Sequence, residues 1–164
     1  MEFDLKTGAI FSTCMNYRYA LWRDWDDLKP YVMIIGLNPS TADEKENDPT
    51  IVRCINFAKS WGYGGVCVTN LFAYCATVPS DMKASNDPIG KENDEWLYKL
   101  ANEAAIVVAA WGNDGSYLKR SEEILGKLLN LYCIKMNKSG EPAHPLYLKA
   151  DLKPLPIRTS HCME

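Results

Sequence analysis

Three unbroken apolar runs constrain this chain more than any other feature. Tyr31 to Leu37, Val66 to Leu71 and Ile106 to Trp111 are each six or seven residues long and show no polar alternation. A strand with one wet face alternates; a strand covered on both faces does not, and such strands belong to parallel sheets. A fourth, shorter segment, Leu131 to Lys135, is of the same kind.

Helical patterns separate these runs. Pro49 and Thr50 open the first, with Asp48 placed to cap it. Ile51, Cys54, Ile55, Ala58 and Trp61 give that helix one apolar stripe, and the glycines at 62, 64 and 65 end it. A second helix is expected from about Gly90 to Ala104, and a third from about Ser116 to Asn130. Ahead of them, Ala9 to Thr13 and Tyr17 to Trp22 read as an antiparallel pair. The tail, with Pro142, Pro145, Pro154 and Pro156, reads mostly as loop. The expected fold is one α/β domain spanning residues 1–164. It is a three-layer sandwich with a central, mostly parallel four-stranded sheet plus the N-terminal strand pair.

With 47% hydrophobic and 24% charged residues, a chain of 164 can bury a real core. The net charge of −3 and the absence of a basic run argue against tight, sequence-blind binding to duplex DNA. The six cysteines show no C-x-x-C spacing, so a zinc ribbon is not expected; Cys54, Cys67 and Cys133 read as reduced core thiols. No apolar stretch reaches membrane-spanning length. Met1 to Lys6 lacks a basic start and an apolar run, so no membrane association is expected and the cytoplasm is the default.

In open parallel sheets, ligands bind beyond the carboxyl ends of the strands. Polar residues gather there: Asn38-Pro39-Ser40 after the first run, Asn70 at the end of the second, Trp111-Gly112-Asn113 after the third, and His144-Pro145 after the fourth. Pro39 holds Asn38 extended, so its amide can face a cleft and orient a water; the same Asn could instead satisfy its own turn. Asn70, buried, needs a partner, from a ligand or from backbone. Prolines near His144 fix where its imidazole points, which suits hydrogen-bond donation or proton transfer. Asp43, Glu44, Glu46 and Asp48 are either a hard-cation site or a solvated loop with one cap. Arg18, Arg23 and Arg53 could meet a phosphate or pair with surface acids. Phe72, Tyr74 and Trp111 are candidates to stack a base. No phosphate loop, dinucleotide fingerprint, esterase elbow or metalloprotease motif is present.

Tyr17-Arg18-Tyr19, Leu37 to Asp43, Asn47-Asp48-Pro49-Thr50, Trp61-Gly62-Tyr63, Asn70 to Tyr74, Trp111-Gly112 and His144 to Tyr147 resemble the bacterial and phage family called domain of unknown function 1643. The likeness spans about residues 10 to 150 and names no reaction. More distantly, Gly36-Leu37-Asn38-Pro39 resembles the G-x-N-P segment of mismatch-specific uracil/thymine-DNA glycosylases. Thr69-Asn70 is similar to the T-N of thermophilic-type uracil-DNA glycosylases, and His144-Pro145 to their H-P-S motif, here without the Ser.

That second likeness implies a uracil-DNA glycosylase-like fold and a hydrolase acting on a nucleobase in DNA or in a nucleotide. Asn38 would place water, Asn70 would contact the base, and His144 would assist the leaving group. Ser40, Asp43, Arg53, Phe72, Tyr74 and Trp111 join Asn70 as expected substrate contacts. No metal or other cofactor is expected, and the partner is a nucleobase-containing ligand. The other possibilities are a non-catalytic nucleotide or modified-base binder of the same fold, and a metal-assisted hydrolase using Asp43 and Asp48.

Overall fold

The structure, a computed structural model, describes residues 6–157. Its elements run β1 (Lys6–Phe11), β2 (Arg18–Asp24), β3 (Tyr31–Gly36), α1 (Pro49–Ser60), β4 (Gly65–Asn70), α2 (Pro79–Lys83), α3 (Asn93–Glu103), β5 (Ile106–Ala109), α4 (Arg120–Lys127), β6 (Leu131–Cys133) and β7 (Leu155–Pro156). They form an α/β fold around one seven-stranded mixed sheet of order β1-β2-β4-β3-β5-β6-β7. The strands of the apolar runs are at its centre, and the pairs β3–β4, β3–β5 and β5–β6 run parallel.

Alternate residues of β3 explain its lack of polar alternation. Val32 and Ile34 pack under α1 with Ile51, Cys54, Phe57 and Ala58. Met33 and Ile35 pack on the opposite face with Met82, Leu97 and Ile124 of α2, α3 and α4. Each fully buried side chain of this kind contributes about 1.5–3 kcal/mol. α1 starts where Asp48 Oδ1 accepts the Ile51 amide at 2.9 Å. It stops at Gly62, whose φ of +88° favours glycine; there the Tyr63 amide bonds Ala58 O and the Gly62 amide bonds Lys59 O, closing the last turn.

The expected N-terminal strands pair antiparallel, and β2 also bonds antiparallel to the outer edge of β4, so the pair extends the sheet. The proline-rich tail is mostly loop and adds the two-residue β7, which caps β6; a proline is tolerated there because an edge strand need not donate on both sides. One expectation needs correction. The helix expected from Ser116 begins later. Residues Asn113–Lys119 form tight 3₁₀-type turns that break where Leu118 and Lys119 take positive φ, and α4 opens at Arg120. Gly115 sits so close over the Trp111 ring that a Cβ there would lie 2.1 Å from it, so only glycine fits at that position.

Cys54, Cys67 and Cys133 are buried free thiols, and burial pushes Cys54 and Cys67 up to about 12. Cys162 and His161 lie outside the described residues. Among the described residues no helix is long and apolar enough to cross a membrane.

Candidate active site

Strand order decides where the site forms. From β3 the chain crosses by α1 to β4 on one side, then by α2 and α3 to β5 on the other. The segments leaving β3 and β5 therefore part, and a crevice opens beyond their carboxyl ends. Two contiguous cavities occupy it, enclosing about 410 Å³ and about 1180 Å³ when counted out to open solvent. The inner one is lined by Arg18, Asn38, Asn70 and His144 among others, with Asp48 and Thr50 from the start of α1. Asn38, Ser40, Asp48, Thr50 and His144 also line the outer groove, which continues to Trp111 and Asp114.

Each polar group has a fixed attitude. Asn38 Nδ2 donates to Ala76 O at 2.9 Å and to Pro39 O at 3.1 Å, so the amide oxygen is the end left over. Asn70 ends β4 in register with Gly36 of β3. A Cβ on Gly36 would lie 2.9 Å from Asn70 Oδ1, so the glycine makes room for that side chain. Asn70 is 3% exposed, and among the described residues its Nδ2 has no hydrogen-bond partner. His144 Nδ1 accepts the Leu146 amide at 3.3 Å, which leaves the proton on Nε2. Burial holds the His144 pKa below its ordinary value, against a smaller upward pull from Asp48.

The loop carrying His144 is held from two sides. Arg53 Nε donates to Pro145 O at 3.2 Å, and its guanidinium lies 4.9 Å above the Phe57 ring. Gly112 donates to Pro142 O at 2.8 Å and adopts a positive φ of 77° with its ψ near extended, a combination open only to glycine. Gly112→Ala is expected to cost about 1–3 kcal/mol in a urea melt through backbone strain, since a Cβ there meets His144 only at an ordinary 3.6 Å.

The family assignment follows from the extent of the match. A model of a family described as a protein of unknown function (DUF1643) covers residues 18–146, well over half of the chain. The chain belongs to the DUF1643 family. Every residue lining the two cavities falls within the matched span. No curated protein and no solved structure matches the chain.

The DUF1643 crevice gathers Asn38, Ser40, Asn70 and His144, includes Trp111 in the wall of its outer groove, and leaves Asp43, Arg53, Phe72 and Tyr74 elsewhere. Asp43 lines neither cavity. Its Oδ1 accepts the Lys45 and Glu46 amides at 2.9 and 2.8 Å, which lowers its pKa and shapes the acidic loop. Arg53 lines neither cavity, and its Nε holds Pro145 O. Phe72 is fully buried in the core against Tyr117. Tyr74 packs edge-on to Tyr17 and lines a separate shallow depression. Trp111 is 1% exposed, with its Nε1 on Glu141 Oε1 at 2.8 Å, so its ring face is not open to a base. Among the described residues no three His, Cys, Asp or Glu side chains converge as a metal-binding set.

Of the three arginines that could meet a ligand, Arg18 alone lines the inner cavity, a place its sequence position does not indicate. Simple alternation puts it on the face opposite Leu21. A bulge in β2 changes the phase: Ile10 pairs with Ala20 and Phe11 with Arg18, leaving Tyr19 as the extra residue. Arg18 thereby lines the inner cavity with Ile34 and Val68, which pack on the Leu21 face. Arg23, by contrast, is structural. It donates to Asn47 Oδ1 and to the carbonyls of Trp22, Asp43 and Glu46, tying the acidic loop to the sheet.

Proposed function

We propose that this protein is a hydrolase of N-glycosidic bonds to a nucleobase, in a nucleotide or in DNA, on a uracil-DNA glycosylase-like layout. The observation that carries the reading is the convergence of Asn38, Asn70 and His144, remote in sequence, on one cavity at the strand ends.

The chemistry asks little of its water. As the C–N bond breaks, its electron pair goes to the base and positive charge builds on the sugar carbon. An oxocarbenium-like centre accepts even a weakly activated water. Asn38, with its nitrogen engaged, offers only its oxygen to hold that water by a proton. The water oxygen bonds the sugar carbon, and the proton it sheds neutralises the departed base. Asn70 Nδ2 supplies a hydrogen bond to the base edge. His144, neutral with its proton on Nε2, donates to charge growing on the base. Cys54 in the cavity wall stays a thiol, its pKa too high for nucleophilic attack.

Incubation with nucleosides, nucleotides, single strands and duplexes, followed by chromatography of free bases, tests the reading. Release from at least one substrate is expected. Saturable binding without release would leave a non-catalytic binder in its place.

The protonation of His144 also has a stability consequence. Its folded-state pKa lies below the ordinary 6.5, so the unfolded chain takes up this proton first on acidification. Stability is therefore expected to be unaffected by this group above pH 6.5 and to fall as pH drops from 6.5 through the folded value. Urea midpoints measured from pH 7.5 to 5 should show that slope in the wild type. His144→Asn should reduce it.

A further inference from the structure

We infer that Arg18 is a base-recognition residue, and that the inner cavity selects bases whose buried edge presents oxo oxygens. This rests on the hydrolase reading for the ligand's class and adds to it the identity of the edge.

Three arginines are almost fully buried, and two of them are saturated. Arg23 donates to four oxygens. Arg120 meets Leu71 O and the carboxylates of Asp94 and Glu123. Among the described residues Arg18, only 2% exposed, has one side-chain bond, from Nη1 to Ala42 O at 3.2 Å, and its Nε has no partner. Among the described residues no carboxylate comes within ion-pair distance of it. A guanidinium removed from water and left so poorly paired is costly, and it has no acceptor capacity of its own. Something that enters the cavity has to bring the acceptors.

The neighbouring groups make the same demand. Asn70 Nδ2 is a second buried donor without a partner, and it lines the same cavity. Half-buried His144 adds a further donor, Nε2, to the same lining. Asp48 is the one carboxylate in that lining; its Oδ1 accepts the Ile51 amide, and its charge reaches Arg18 only from beyond ion-pair distance. A ligand edge rich in carbonyl oxygens satisfies the donors; an amino group in that place would face a guanidinium and an amide nitrogen. Asp48 also disfavours a phosphate dianion in the cavity. A lactam edge is neutral on entry and becomes anionic only as the C–N pair arrives on the ring, when Arg18 gains most from it.

The test measures binding of free bases by calorimetry, in the oxo and amino pairs uracil against cytosine and hypoxanthine against adenine, with inorganic phosphate as a third probe. The wild type should bind the oxo member at least about tenfold more tightly. R18Q should lose about ten- to a hundredfold of that affinity, with R18K between the two. Circular dichroism confirms that each variant is folded. In turnover, R18Q should lose most with bases whose ring N–H is least acidic, a trend that a purely structural arginine would not produce. Oxo-base affinity unchanged in R18Q, or phosphate bound more tightly than any base, would overturn the assignment. Release at the wild-type rate by R18Q would also overturn it, while leaving the hydrolase reading standing. Arg18-dependent oxo-base binding with no release from any substrate supports the assignment and removes the hydrolase.

Discussion

Replacing Asn38 with alanine is expected to reduce base release by about a hundredfold or more. The side chain has two jobs that can be separated. Its nitrogen ties the turn after β3 to Ala76, across the mouth of the crevice. Its oxygen has no partner among the described residues and is the group assigned to the water. Losing the tether costs about 1 kcal/mol, since a half-buried carbonyl can recover a bond from solvent. Losing the oxygen removes the only positioned acceptor proposed for the nucleophile. The expected result is a melting temperature within a few degrees of the wild type together with near-complete loss of product in a quantitative free-base assay. Release within threefold of the wild type by the folded variant would take the nucleophile's water away from Asn38.

Such separation of roles was partly legible in the sequence. The uninterrupted apolar run from Tyr31 to Leu37 requires cover on both faces, and β3 receives it from α1 below and from α2 to α4 above. Once that strand is central, the position of Asn38 beyond its carboxyl end follows from topology alone. Asn70 follows in the same way, because the parallel register sets it beside Gly36. The cap on α1 could be read at Asp48, since capping is a local matter of one side chain and one amide three residues on.

What could not be read depends on contacts distant in sequence or on phase. Arg18 reaches the cavity because of a bulge, and a one-residue change of phase in a strand exchanges its faces. Phe72 and Trp111 were plausible stacking rings by position, yet a large apolar ring is as useful to a core as to a pocket. Only the turns of residues 113–119, with Gly115 pressed on the indole, decide that Trp111 is covered. By composition the acidic loop could be a cation site or a solvated, capped loop. Asp43 Oδ1 accepts two backbone amides and Arg23 donates to the Asp43 and Glu46 carbonyls, hydrogen bonds to backbone atoms that composition cannot reveal.

The largest expected loss of stability is at a residue remote from the crevice lining. Arg120 opens α4 and is 1% exposed; its Nε donates to Leu71 O at 2.9 Å, and its two terminal nitrogens meet Glu123, at 2.7 Å, and Asp94. Asn93 Nδ2 reaches the same strand end, bonding Asn70 O at 2.9 Å and Leu71 O at 3.1 Å. Together they hold the carboxyl end of β4 from the face opposite the cavity, and so hold Asn70 in place. Arg120→Met keeps much of the volume but removes the charge and three donors. Asp94 and Glu123 are partly exposed and can rehydrate, so the cost falls at the lower end of the range for breaking a buried ion pair, about 3 kcal/mol. For a domain of this size that lowers the melting temperature by roughly 6–12 °C. The Leu71 carbonyl keeps its bond to Asn93, so the strand end is loosened rather than released, and base release should fall through KM more than through kcat. A melting temperature unchanged in Arg120→Met would mean that Asn93 alone anchors β4, and Asn93→Ala would then carry the larger loss.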